Sequence, residues 1–167
     1  MERAELVERR GQLAELNAAV ARARRDSGAV ALVSGEAGIG KTALLRAFTA
    51  GLPPGVRVYA GACDALSTPR TLGPFRDMAV ALPALRGADR DGAIDALLGA
   101  LVRPAVVVVD DLHWADDASL DVVRHVARRV RGLPAVLVLA YRDDVPPGHP
   151  LPALLGALGG GPAVLRL

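Results

Sequence analysis

Apolar and polar positions along the chain fall into two alternating rhythms. Over residues 6–25, Leu13, Leu16, Ala19, Val20 and Ala23 recur at three- and four-residue intervals, one stripe that predicts a helix. Asp26-Ser27-Gly28 interrupts it, and residues 29–33 follow as a short unbroken apolar run suited to a buried strand. Helical spacing returns over 42–50 through Leu44, Leu45 and Phe48, and the Gly-Leu-Pro-Pro-Gly segment at 51–55 ends it. Residues 56–60 read as a second strand, and 63–71 as a loop with Ser67-Thr68-Pro69 at its centre. A helix over 74–82 would open on Pro74, where a missing N–H costs nothing, and another helix is expected over 91–101.

The stretch 105–109 is Ala followed by four valines, continuous rather than alternating, as expected of a strand buried on both faces of a parallel sheet. Residues 119–130 predict a helix that Asp116 or Asp117 is placed to cap. Residues 135–140 are the next apolar run. Pro150 opens a last short helix, Gly159-Gly160-Gly161-Pro162 stops it, and 163–167 form a fifth apolar run. Five strands alternating with helices imply right-handed crossovers and a three-layer α/β fold.

One junction between strand and helix carries specific chemistry. Residues 35–42 read G-E-A-G-I-G-K-T, which fits G-x-x-x-x-G-K-[ST] at every fixed position. A strand precedes it and a helix follows it, the context in which that pattern is a phosphate-binding loop. Gly35, Gly38 and Gly40 would let the backbone curl around phosphate oxygens, with Glu36, Ala37 and Ile39 between them and Ala43 just beyond. The new helix adds its positive end to the same spot. Lys41 would then reach the phosphates and the Thr42 hydroxyl would ligate Mg²⁺. Composition sharpens the point, because Lys41 is the one lysine among 20 Lys and Arg residues. A chain that writes its other cations as Arg has kept a flexible ammonium here.

A second acidic element ends the four-valine strand at Asp110-Asp111. Side chains at the carboxyl ends of parallel strands line the ligand crevice. Asp110 is therefore expected to hold Mg²⁺, directly or through water, and Asp111 to orient or deprotonate an attacking water. His113 could contact the γ-phosphate or the water, or brace the following loop, with bracing the favoured reading, and Trp114, the sole tryptophan, reads as a packing anchor rather than a base-stacking residue. Arg142 follows the fourth strand. Two readings stand for it: a reporter of the γ-phosphate, or a surface partner of Asp143 or Asp144.

Composition sets bounds on the rest. At 167 residues the chain is about one domain, and with 51% apolar but only 3% aromatic residues its core must be built from Ala, Val and Leu. No apolar run is long enough to span a bilayer, the first residues do not form a secretory signal, and the single Cys63 excludes an internal disulfide framework. A cytoplasmic setting and no membrane partner are the expectation. A net charge of +2 does not argue for nucleic acid. The clusters Arg22, Arg24, Arg25 and Arg124, Arg128, Arg129, Arg131 fall near predicted helix ends, where cations are favoured, so direct DNA binding by this segment is not expected.

The segments Leu6-Val7-Glu8-Arg9, G-E-A-G-I-G-K-T, Cys63-Asp64-Ala65-Leu66-Ser67-Thr68-Pro69, V-V-V-V-D-D-L-H-W-A-D and L-A-Y-R-D-D together resemble the N-terminal ATPase domain of the large ATP-binding LuxR-type transcriptional regulators. These are signal-transducing members of the AAA-like branch of phosphate-loop NTPases, and the likeness covers nearly the whole chain. The resemblance implies a five-stranded parallel sheet ordered 5-1-4-3-2 and ATP rather than GTP. It also implies Val7 and Arg9 near the adenine, and Arg142 as the sensor of the γ-phosphate. Glu8 stands where the family usually carries glycine.

On this reading residues 1–167 are a single ATPase domain, with an N-terminal helix over 1–26 and a nucleotide-binding core over 27–167. The chain is expected to be a piece of a longer regulator, with the lid, helical-repeat and helix-turn-helix regions lying beyond it. ATP and ADP are the expected ligands, nucleotide-dependent self-association is a further expectation, and hydrolysis by the segment alone should be slow. A small-molecule kinase would want a basic lid that the sequence lacks, and a nucleotide-binding scaffold without turnover is the remaining alternative.

Overall fold

The computed structural model describes residues 9–25, 27–66, 68–158, 161 and 163–167. In chain order the elements are α1 (Arg10–Ala23), β1 (Ala29–Ser34), α2 (Lys41–Ala50), β2 (Arg57–Ala62), α3 (Gly73–Met78), α4 (Arg90–Ala100), β3 (Ala105–Asp110), α5 (Asp117–Val130), β4 (Ala135–Tyr141), α6 (Pro150–Ala157) and β5 (Ala163–Arg166). Short 3₁₀ turns at Pro83–Leu85 and Leu112–Trp114 complete them. The strands form one sheet in the order β2-β3-β4-β1-β5, and every pairing is parallel. Read from the other edge, this is the order the family resemblance implies.

Continuous apolar runs produce this sheet because both of its faces are covered. Every residue of β3 and β4 is buried, and alternate side chains supply two separate cores. Val107, Val109, Leu137 and Leu139 pack with α3, α4, α5 and α6, whereas Val106, Val108, Val136 and Val138 pack with α1 and α2. Leu137 is 1% exposed, and trimming so buried a leucine to alanine costs about 2–5 kcal/mol. On one flank β2 accepts α3 very closely. A Cβ on Gly61 would lie 1.9 Å from the Pro74 carbonyl oxygen, so only glycine admits that approach.

Register then positions the chemistry. Ser34 of β1 pairs with Tyr141 of β4, and Ala62 of β2 pairs with Asp110 of β3. The strand ends therefore align on one edge, and the loops beginning at Gly35, Asp111 and Arg142 leave the sheet together.

Three expectations need correction. The helix expected over 74–82 stops at Met78, because Pro83 holds Leu82 in an extended conformation (φ −128°, ψ 85°) and the chain must leave the helix before it. The first helix begins at Arg10 with Arg9 in a turn, and residues 6–8 of that expectation lie outside the described residues. Trp114 is not a packing anchor: it is 41% exposed, on a 3₁₀ turn with no periodic signal that would have oriented it. Among the described residues no helix is long and apolar enough to cross a membrane.

Candidate nucleotide-binding site

The loop between β1 and α2 is built around two left-handed glycines. Gly38 and Gly40 have φ of +73° and +95°, a region that residues with a Cβ rarely enter. Gly40 is the residue before α2, so the turn delivers the helix N-terminus to the concave side. Lys41 is buried at 6% exposure, and its ammonium donates to the carbonyl oxygens of Gly35 and Glu36, both at 2.8 Å. A buried ammonium needs acceptors, and here its own loop provides them.

Across the sheet edge, Thr42 Oγ1 donates to Asp110 Oδ2 at 2.6 Å. The other carboxylate oxygen, Oδ1, accepts the Asp111 N–H at 2.8 Å. The Thr42 hydroxyl proton is thereby committed to Asp110, which leaves its lone pairs for a cation. Asp111 holds φ 52°, ψ 40°, a left-handed conformation unusual for a residue other than glycine. Burial, and then the neighbouring Asp110 charge, raise its carboxyl above the ordinary range, while Lys41 and Arg142 pull the other way. Lys41, Thr42, Asp111, His113, Trp114 and Arg142 line one cavity of about 320 Å³ together with Ala37, Gly38 and Gly40.

His113 is 7% exposed, and one hydrogen bond to its ring and one to its carbonyl oxygen hold it in place. Its Nδ1 accepts the Arg142 N–H at 3.3 Å, which places the ring proton on Nε2. Its carbonyl oxygen accepts from His149 Nε2 at 2.9 Å, and His149 Nδ1 in turn accepts the Leu151 N–H at the start of α6. Burial first, then the Arg142 and Lys41 charges, lower the His113 pKa to about 4. The neutral ring links its own loop to the one that begins at Arg142, and it also lines the cavity.

Of the two readings of Arg142, the structure shows the pairing with Asp144. Its side chain lines the cavity beside Lys41, and its Nε and Nη2 donate to Asp144 at 2.8 and 2.5 Å. A larger cleft of about 420 Å³ adjoins this cavity and shares His113, Trp114 and Arg142 with it, its other walls being mostly apolar. The smaller cavity is the phosphate candidate, because the glycine loop, Lys41 and Asp111 line it together, with Asp110 reached through Thr42.

The other expected residues are placed as follows. Glu36, Ala37 and Ile39 form the exposed crest of the loop, and Ala43 lies exposed in the first turn of α2. Val7 lies outside the described residues. Arg9 reaches beneath the loop, donates through Nη2 to the Ile39 carbonyl oxygen, and packs where a Cβ on Gly40 would lie 3.3 Å away. Sequence reasoning missed His149 as a bridge to His113. The signal was present, since a polar residue directly before a helix-opening proline is a capping position.

Strand order, register and loop geometry together define a phosphate-loop NTPase of the α/β class. A family model described as an AAA ATPase domain matches residues 5–139, and the chain belongs to that family. Among solved structures, the Aeropyrum pernix ORC2 protein in ADPNP–ADP complexes is similar at 18% identity and a TM-score of 0.63. That match covers 95% of this chain and 47% of the other. The Aeropyrum pernix ORC1 protein in complex with DNA is similar at 21% identity and a TM-score of 0.60, over 95% of this chain and 44% of that one. Cdc6p from Pyrobaculum aerophilum gives 20% identity and a TM-score of 0.60, over 95% and 44%. The chain thus spans less than half the length of these solved relatives, and at such identities the likeness is one of fold. No curated protein matches the sequence.

Proposed function

We propose that this domain binds MgATP and hydrolyses it slowly, serving as the switch module of a LuxR-type transcriptional regulator. The observation that carries the reading is the 2.6 Å hydrogen bond from Thr42 to Asp110, beside a cavity that Lys41 and Asp111 also line. The residues present fit the ligand. Thr42 and Asp110 are hard oxygen donors that would hold Mg²⁺, with phosphate and water completing its shell. When bound, the metal would neutralise charge on the phosphates. Lys41 exchanges its two carbonyl acceptors for phosphate oxygens, and the loop glycines allow close approach of the backbone. Asp111, its carboxyl raised above the ordinary range by burial, acts as base or orienting group for water. Arg142 contacts the γ-phosphate, and Arg9 supports the loop from below.

AAA family membership supports ATP binding and hydrolysis as the activity. The regulator assignment is supported by the D-D-L-H-W-A-D and L-A-Y-R-D-D segments. Calorimetry with MgATP and phosphate-release assays test the site. Lys41→Ala should weaken ATP binding by about a hundredfold or more, while Asp111→Asn keeps binding and loses about a hundredfold in hydrolysis. Equal ATP affinity in wild type and Lys41→Ala would sink the assignment.

A further inference from the structure

Lys41 and Arg142, the two cations lining the cavity, are both engaged, but by different kinds of acceptor. Lys41 rests on two neutral carbonyl oxygens of its own loop. Arg142 is held by a carboxylate, through two parallel hydrogen bonds from Nε and Nη2 to the two oxygens of Asp144. That fork geometry is the one a guanidinium also uses on phosphate. Asp144 therefore occupies the donors that a terminal phosphate would need.

We infer that Asp144 is an internal competitor of the γ-phosphate for Arg142, and so sets how strongly the site discriminates a triphosphate from a diphosphate. This rests on the nucleotide-site reading above and adds a residue to it. A diphosphate leaves the Arg142–Asp144 pair intact, whereas a triphosphate must break it to gain the Arg142 contact. The exchange is favourable but not free. The Asp144 side chain is 54% exposed and that of Arg142 is 33% exposed, so water and salt screen the pair. Hydrogen bonds from a guanidinium to a multiply charged phosphate in a partly enclosed cavity are stronger than that. The pair thus lowers triphosphate affinity modestly, by up to about five-fold, the upper end for an exposed ion pair.

The position of Asp144 gives the exchange a consequence. It belongs to the strap from Arg142 to His149 that is tied to His113 at both ends, by the Arg142 N–H and by the His149 ring. Within that strap the Arg142–Asp144 bonds are the ones a ligand in the cavity can take over.

The test is a double-mutant cycle read by calorimetry with Mg-ADPNP and with Mg-ADP, on wild type, Asp144→Asn, Arg142→Ala and the double variant. Asp144→Asn should tighten ADPNP about three- to five-fold and leave ADP within two-fold, and the gain should vanish in the Arg142→Ala background. Asp143→Asn, which removes a neighbouring charge without touching the pair, should change neither ligand. An ADPNP:ADP ratio unaltered by Asp144→Asn overturns the inference, as does a gain that persists without Arg142. Lys41→Ala, run alongside, separates the two levels. If wild type and Lys41→Ala bind both nucleotides equally, the site reading fails and the inference fails with it. If Lys41→Ala abolishes binding while the ratio stays fixed in Asp144→Asn, only the inference fails. Asp144 is exposed, so the variant should fold, with its melting temperature lowered by only the few degrees that loss of an exposed ion pair allows.

Discussion

The two edges of the sheet treat charge in opposite ways. At the carboxyl edge, the polar side chains that the fold buries gather in one place: Ser34, Lys41, Asp110, His113 and Ser119 are all below 10% exposure. At the amino edge, Arg24 and Arg25 before β1, Arg57 at the start of β2, Arg103 before β3 and Arg131 before β4 are all exposed. The first arrangement is costly, because each buried polar atom must find a partner in place of water. The second costs little, since a solvated guanidinium near the end of a helix is favoured by the dipole. Desolvated chemistry at one edge and solvated charge at the other is the contrast that separates a site from a surface.

Substitutions at the two edges should therefore differ in kind. The largest effect expected is on stability at low pH. His113 is neutral because burial, Arg142 and Lys41 bring its pKa down to about 4 from an ordinary 6.5. Between those values the unfolded chain binds the proton more readily, so stability is full above about pH 6.5, falls toward pH 4 and then levels. The loss approaches about 3 kcal/mol at most. Thermal unfolding of wild type and His113→Asn across pH 7 to 4 measures it, and parallel curves would refute the assignment.

Next comes Thr42→Ala, which removes one oxygen donor from the proposed metal position. Nucleotide affinity in Mg²⁺ should drop about tenfold, with a smaller change in EDTA; an equal loss in both buffers would speak against a metal role. Smaller again is Asp116→Ala. Its Oδ1 accepts the Leu72 N–H at 3.2 Å and the hydroxyl of the fully buried Ser119. Denaturant unfolding should show a loss of about 1–2 kcal/mol with ATP affinity of the folded protein unchanged. Last, Arg24→Ala, Arg57→Ala or Arg103→Ala at the amino edge should change stability by less than about 0.5 kcal/mol and ATP binding not at all. A tenfold loss of binding from any of these three would erase the contrast between the edges.

Much of the fold was legible in local pattern. The unbroken run at 105–109 announced a strand covered on both faces, and the G-E-A-G-I-G-K-T stretch announced a glycine-built loop between strand and helix. Asp110 beside Thr42 was expected from its position at a strand end. What pattern could not carry were orientations set by neighbours remote in sequence. Trp114 lies on a 3₁₀ turn, where no periodicity says which way a ring faces. The third helix stopped early because Pro83, five residues past its end at Met78, holds Leu82 out of helical geometry.

The order of residues by itself determined the alternation of strands and helices, the loop that curls around phosphate, and the identity of the groups available to it. These depend on spacing, on glycine and proline backbone preferences, and on side-chain chemistry, all local properties. Only the tertiary structure decided that Arg142 faces the cavity while paired to Asp144, that His113 is held neutral between two loops, and that His149 joins them. Those arrangements depend on parallel register bringing three strand ends to one edge, and on desolvation by segments far apart in the chain.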